Sequence, residues 1–301
     1  MSTTPRDPEE VTAAGAPAYA EIAAAARMGA VQLTVSDLER SLAFYESVIG
    51  LSVREQAGRR ATLGAGGEHL LVLVEQPGAR PSRGYCGLYH FALLLAQRVD
   101  LARWLDHAAR DHVALAGLSD HFVSEAIYLS DPDGHGIEIY WDRPRELWEG
   151  KVAQRMTTLP LDTSSLFGEL SDPAKEPFER LPAETVIGHV HLCVADIPRT
   201  VAFYRDLLGF ALMASLGGQA AFLSAGGYHH HIGANTWESA GAGQPPEGFA
   251  ALRRATVVLP GELERDRLVA LVADSGHETV ALEDGVLVHD PCGNPITLAV
   301  P

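Results

Sequence analysis

The residues of this 301-residue chain best suited to chemistry are His90, Glu138 and His189. Two imidazoles and one carboxylate on one side of a cation leave open coordination positions, a set that suits Fe(II), with Mn(II) close behind. A closed structural zinc site would want four ligands, usually with cysteine, and none of Cys86, Cys193 and Cys292 is suitably placed. Glu138 lies in Gly-Ile-Glu-Ile-Tyr, an apolar run where a carboxylate is costly unless paired or metal-bound. The bland alternative is that it alternates outward between Ile137 and Ile139. His90, before Phe-Ala-Leu-Leu-Leu, could by itself be a hydrogen-bonded core histidine. His189 and His191 face the same way on a strand, so at least one of them supports rather than ligates.

An internal repeat separates these residues from their scaffold. Gly29–Leu51 and Gly188–Phe210 share ten of 23 positions at an offset of 159 residues, enough to mark a duplication. The shared pattern is Gly-x-Val-x-Leu-x-Val, an Asp, an Arg, Ala-Phe-Tyr and a closing Gly. The alternation of Val31, Leu33 and Val35 predicts a half-buried strand. Asp37 and Asp196 stand where a helix N-cap belongs, and Gly50 ends the helix. The match resumes at Ala61–His69 and Ala221–His229. A weaker pair relates Asp131-Pro132-Asp133-Gly134 to Asp290-Pro291-Cys292-Gly293, each a tight turn before a last strand. The chain thus reads as an α+β protein of four βαβββ modules, at about 28–77, 85–142, 186–237 and 250–300. The corresponding domains are a tail at 1–27, a first domain at 28–142, a connector at 143–185 with a helix near Glu146–Arg155, and a second domain at 186–301.

Residues unique to one copy are the better candidates for chemistry. His189 and His191 replace Ala30 and Gln32, Glu138 replaces Thr297, and His90 replaces Arg254. His229 recurs as His69, which favours a structural role. His230 and His231 stand against Leu70 and Leu71 and survive the comparison.

Composition bounds the rest. A chain that is 47% hydrophobic can bury two ordinary cores. A net charge of −16 argues against nucleic acid. Three cysteines without Cys-x-x-Cys spacing suit a reducing cytoplasm rather than a disulfide framework. No apolar run approaches the roughly 20 residues that span a bilayer. Asp7, Glu9 and Glu10 stand where a signal peptide would carry positive charge.

The modules resemble the vicinal oxygen chelate superfamily of glyoxalases, bleomycin-resistance proteins and type I extradiol dioxygenases. The resemblance rests on Gly188-His189-Val190, Asp196, Phe203-Tyr204, Leu208-Gly209 and the Asp131-Pro132-Asp133-Gly134…Glu138 ending, and covers nearly all of 28–300. Ser119-Asp120-His121…Ser124-Glu125 and Ser224-Ala225-Gly226-Gly227-Tyr228-His229-His230-His231 bring it closest to the two-domain catechol 2,3-dioxygenase group. The resemblance implies two open, barrel-like mixed sheets and cleavage of a catechol-type diol by Fe(II) and O2. It implies His189, His90 and Glu138 as ligands, Tyr128 beside the substrate, His230 as acid–base residue, and His121 as a further neighbour of the reacting groups. His191 and His231 are expected to contact substrate. Edge strands in open cups favour a homo-oligomer.

Pairing modules in chain order would split the three ligands between two cups. Pairing module 2 with module 3 collects them in one cup and leaves modules 1 and 4 as a metal-free cup, an exchange made within one chain or across a dimer. The rival functions are a metal-free binding protein with an apolar cup and a glyoxalase-like isomerase. The isomerase usually needs a second carboxylate where this chain carries His230.

Overall fold

The computed structural model describes residues 20–171 and 177–301. Most of the expected tail at 1–27 therefore lies outside the described residues. Modules 1 and 3 open with strands Arg27–Val35 and Val186–Cys193. Asp37 and Asp196 then cap helices by accepting the amide hydrogens of Arg40 and Arg199. Each helix widens into a π-helical stretch, Tyr45–Ile49 in one copy and Ala202–Leu207 in the other, a shape that periodicity alone did not predict. In both copies the repeated tyrosine reaches an aspartate of a later turn. Tyr45 donates to Asp131 at 3.0 Å and Tyr204 to Asp290 at 3.3 Å.

Modules 2 and 4 carry the longer helices Arg98–Arg110 and Glu262–Asp274. Their Asp-Pro turns have one construction. Asp131 accepts the amides of Asp133 and His135, and Asp290 those of Cys292 and Asn294. Gly134 and Gly293 supply the left-handed residue, at φ 89° and 82°.

The described strands form two large mixed sheets, and the exchange of modules occurs within this one chain. Modules 2 and 3, with one edge strand from the connector, make a nine-stranded sheet, whose inner strands run Ser124–Ser130, Gly136–Asp142, Gly87–Leu95, Val186–Cys193 and Ile232–Asn235. Modules 1 and 4 make an eight-stranded sheet joined through Arg27–Val35 and Leu252–Val258. Neither contiguous half, 28–142 or 186–301, closes a sheet of its own. The reason is strand pairing: the opening strand of module 3 runs antiparallel to that of module 2, and that of module 1 to that of module 4. One apolar core runs through both sheets, from Val31 and Leu33 to Phe91, Val190 and Leu298.

Among its described residues the connector carries three short helices, Arg145–Trp148, Val152–Arg155 and Thr163–Phe167, rather than one. It also adds an edge strand, Leu159–Pro160, against Gly117–Asp120. Proline is tolerated there because an edge strand needs no second set of hydrogen bonds.

Candidate metal centre

Register fixes the centre. Ala92, in the middle of the His90 strand, is flanked by Glu138 on one side and His189 on the other, and Tyr128 lies opposite Glu138 one strand further out. Directly paired residues share a face, so Tyr128, Glu138 and His189 form one row across the sheet. His90 and His191 face each other in the adjacent row. The small side chain of Ala92 leaves the space into which the three larger groups converge.

The result is compact. One ligand atom each of His90, Glu138 and His189 lies within 4.8 Å of the others. All three residues are buried, with Glu138 only 2% exposed, so outward alternation is excluded. Both Nε2 atoms approach Oε2 of Glu138 to 3.0 Å. That of His90 makes no hydrogen bond despite the short distance, and Nδ1 of His189 and Nε2 of His191 are also buried without a partner. Such atoms are costly unless something outside the protein satisfies them. Burial opposes the charge on Glu138, but the facing His189 and His90 imidazoles outweigh it and hold the carboxyl well below its usual range. Burial pushes His189 down as well, towards the neutral form that binds metals. The buried, ionised carboxylate of Glu138 is negative charge that a divalent cation would offset. The donor set and its orphaned nitrogens therefore fit a metal ion, and among the described residues this is the one such group of three.

The corresponding rows of the other sheet are built differently. Arg254 occupies the place of His90, and Gln32 that of His191. Arg254 donates to Gln32 at 2.9 Å and pairs with Asp284 at 2.6 Å. A guanidinium fixed there repels a cation.

Two hydrogen-bonded arrangements border the triad. In the first, Nδ1 of His121 lies 2.8 Å from the Thr157 carbonyl, and its Nε2 lies 2.8 Å from the Tyr128 hydroxyl. A carbonyl only accepts, so in the neutral ring Nδ1 carries the proton and Nε2 accepts from Tyr128. Burial, followed by the charge on Glu138, pushes the Tyr128 phenol well up, so it stays protonated. The His121 turn is held by Asp120, which accepts from the Phe122 amide and pairs with Arg143 at 2.6 Å. Arg143 and Arg98 also clamp buried Glu125. This gives the Ser119…Glu125 stretch a positioning role.

In the second arrangement, Oδ1 of Asp142 lies 2.8 Å from Nε2 of His229, whose Nδ1 lies 2.8 Å from Nδ1 of His230. The carboxylate accepts from His229. A neutral His229 then offers a bare Nδ1, which accepts the proton on Nδ1 of His230. Nε2 of His230 is left as an unprotonated base. Burial pushes His230 well down, which keeps that ring neutral. The other Asp142 oxygen accepts from Tyr228 at 2.8 Å, and Tyr228 contacts the Tyr140 hydroxyl at 2.7 Å. Gly188 makes room for Tyr140, because a Cβ there would collide with the tyrosine hydroxyl.

His90 and Glu138 of the triad line a cavity of about 1000 Å³ whose wall also includes His121, Tyr128, His191 and His230, with His189 buried behind them. His231 does not line it. Its Nδ1 accepts the Ala225 amide at 3.2 Å and lies 3.2 Å from the Ser224 hydroxyl, holding the turn that carries its neighbours, so the expected substrate contact is corrected to a structural one. His229, expected to be scaffold because His69 repeats it, is fully buried in the Asp142 chain, whereas His69 is exposed. Trp237 also lines the cavity, whereas Trp148 is core and Phe122 lines a separate groove. Sequence reasoning missed Asp142, Tyr228 and Tyr140. Asp142 carried a usable signal, since it lies four residues beyond Glu138 on the same strand and so on the same face.

A family model described as the glyoxalase/bleomycin resistance protein/dioxygenase superfamily matches residues 27–139 and 186–297. A catechol-2,3-dioxygenase of Bacillus subtilis (strain 168) is 44% identical over 272 residues, 88% of this chain and 93% of that protein. A biphenyl-2,3-diol 1,2-dioxygenase of Pseudomonas sp. (strain KKS102) is 28% identical over 68% of this chain and 66% of its own length. Among solved structures, glyoxalase I from Zea mays superposes with a TM-score of 0.55 at 16% identity, over 92% of each chain.

Proposed function

Because the chain belongs to the glyoxalase/bleomycin resistance protein/dioxygenase superfamily, we propose that its metal centre is that of an extradiol dioxygenase, which opens a catechol-type ring beside the diol. The observation that carries this reading is the convergence of two buried imidazoles and one buried carboxylate beside a cavity that His90, Glu138 and the histidine base His230 line. His90, Glu138 and His189 would hold Fe(II), whose charge and open positions would bring the diol oxygens and O2 together.

The protein's own groups then divide the work. Nε2 of His230, left bare by the Asp142–His229 chain, takes a phenolic proton from the diol and later returns it. Tyr128, anchored by His121, presents its oxygen to the diol or to the oxygen developing beside it. His191 offers its unpartnered Nε2 to the substrate from the row next to the triad.

A glyoxalase-like reaction usually requires a second carboxylate at the metal. Among the described residues the cavity wall offers one other carboxylate, Glu238, which is paired with Arg83. A metal-free binding role leaves the orphaned nitrogens unexplained. The test is anaerobic loading with Fe(II) followed by oxygen uptake and the yellow absorbance of a ring-opened product across a panel of catechols. His230→Ala should retain iron and lose about 10²–10⁴-fold in turnover. Full turnover by the iron-loaded variant would exclude His230 as the base.

A further inference from the structure

The outer half of the cavity has a composition that the ring-cleaving chemistry does not require. From the triad outward its wall becomes aromatic. His191 packs against His90, Tyr89, Phe222 and Trp237, with ring centroids 5.0, 5.2, 5.8 and 5.6 Å away. Tyr89 and Trp237 meet edge to face at 5.3 Å. Three large apolar side chains at this mouth stay open to solvent: Leu216 at 58%, Trp237 at 44% and Tyr89 at 39%. Exposed aromatics gathered at the mouth of a cavity mark a surface that a ligand covers. The volume agrees. About 1000 Å³ lies at the upper end of the range for small-molecule pockets, and a bare catechol ring at the triad would leave most of it empty.

The charges in the wall are equally selective. The one Arg or Lys among the described lining residues is Arg83, and both arms of its guanidinium are taken by Glu238 at 3.1 Å. A carboxylate on the substrate would have to displace Glu238 from Arg83, and it would approach a chain of net charge −16.

We propose that Tyr89, Phe222, Leu216 and Trp237 form a subsite for a bulky, uncharged, apolar substituent on the diol ring, so that the preferred substrate is an alkyl- or aryl-substituted catechol rather than a bare or carboxylated one. This rests on the ring-cleavage reading for the diol end, but the subsite can be tested without turnover. Calorimetric titration of the Fe(II)-loaded protein under anaerobic conditions compares catechol, isopropylcatechol, tert-butylcatechol and dihydroxybenzoate. The better alkylcatechol should bind at least about tenfold tighter than catechol, the lower end of what an apolar group gains in a fitted pocket. Dihydroxybenzoate should bind no tighter than catechol. Trp237→Ala should shrink the alkyl preference to about threefold or less, whereas Trp237→Phe should keep it. Equal binding of all four diols, tighter binding of dihydroxybenzoate, or an undiminished preference in Trp237→Ala would overturn the subsite. If no diol is cleaved when O2 is admitted, the ring-cleavage reading falls while the binding order still decides the subsite.

Discussion

The two Nδ1 atoms of His229 and His230 lie 2.8 Å apart in a fully buried contact, with Asp142 anchoring the far side of His229. Two neutral rings can share that contact only when one nitrogen is bare and the other carries the proton. The carboxylate of Asp142 decides which.

Asp142→Asn should therefore impair catalysis without disturbing the metal. An amide can donate to Nε2 of His229, which would reverse the proton order along the chain and protonate the cavity-facing nitrogen of His230. Turnover should fall about 10–100-fold, the usual effect of losing the partner that orients a site histidine, with iron content and KM for catechol nearly unchanged. Wild-type kcat in the iron-loaded variant would remove Asp142 from the account.

Glu138→Ala should lose the metal outright. The carboxylate supplies the charge of the triad, and without it the two imidazoles face each other across a buried gap. Elemental analysis after anaerobic loading should find iron near background. His90→Ala should also lose metal, because its Nε2 is the ligand atom with no protein partner.

Tyr128 and His121 should act as a unit. Their 2.8 Å hydrogen bond orients the phenol. Tyr128→Phe and His121→Ala should each reduce kcat/KM, by about tenfold for the phenol, and the double variant should lose less than the product of the single losses. A fully multiplicative double variant would show that the two residues work separately.

The Asp-Pro turns should be important to stability rather than chemistry. Asp131→Ala strands the buried Tyr45 hydroxyl and two turn amides. Each stranded group costs about 1–3 kcal/mol, so the urea midpoint should fall clearly while the folded fraction still binds iron.

Much of this was legible in the sequence because duplication had already separated scaffold from chemistry. Val31, Leu33 and Val35 gave the strand, and Asp37 and Asp196 gave the caps. His90, Glu138 and His189 stood out because Arg254, Thr297 and Ala30 replace them. The exchange of modules followed from requiring three ligands in one cup. What stayed hidden depends on contacts between distant segments. Asp142 and His229 are 87 residues apart and meet only once modules 2 and 3 share a sheet. His231 misled because its neighbours carry chemistry, while its own ring turns back onto Ala225 and Ser224. The π-helical stretches in both copies have no signature in apolar spacing.

The most direct test is an anomalous difference map at the iron edge from crystals loaded anaerobically with Fe(II). The account predicts one peak per chain, roughly 2.0–2.2 Å from the imidazoles of His90 and His189 and the carboxylate of Glu138, as for similar nitrogen and oxygen ligands. It also predicts no peak beside Arg254. A map without density at the triad, or with iron in the other cup, would contradict it.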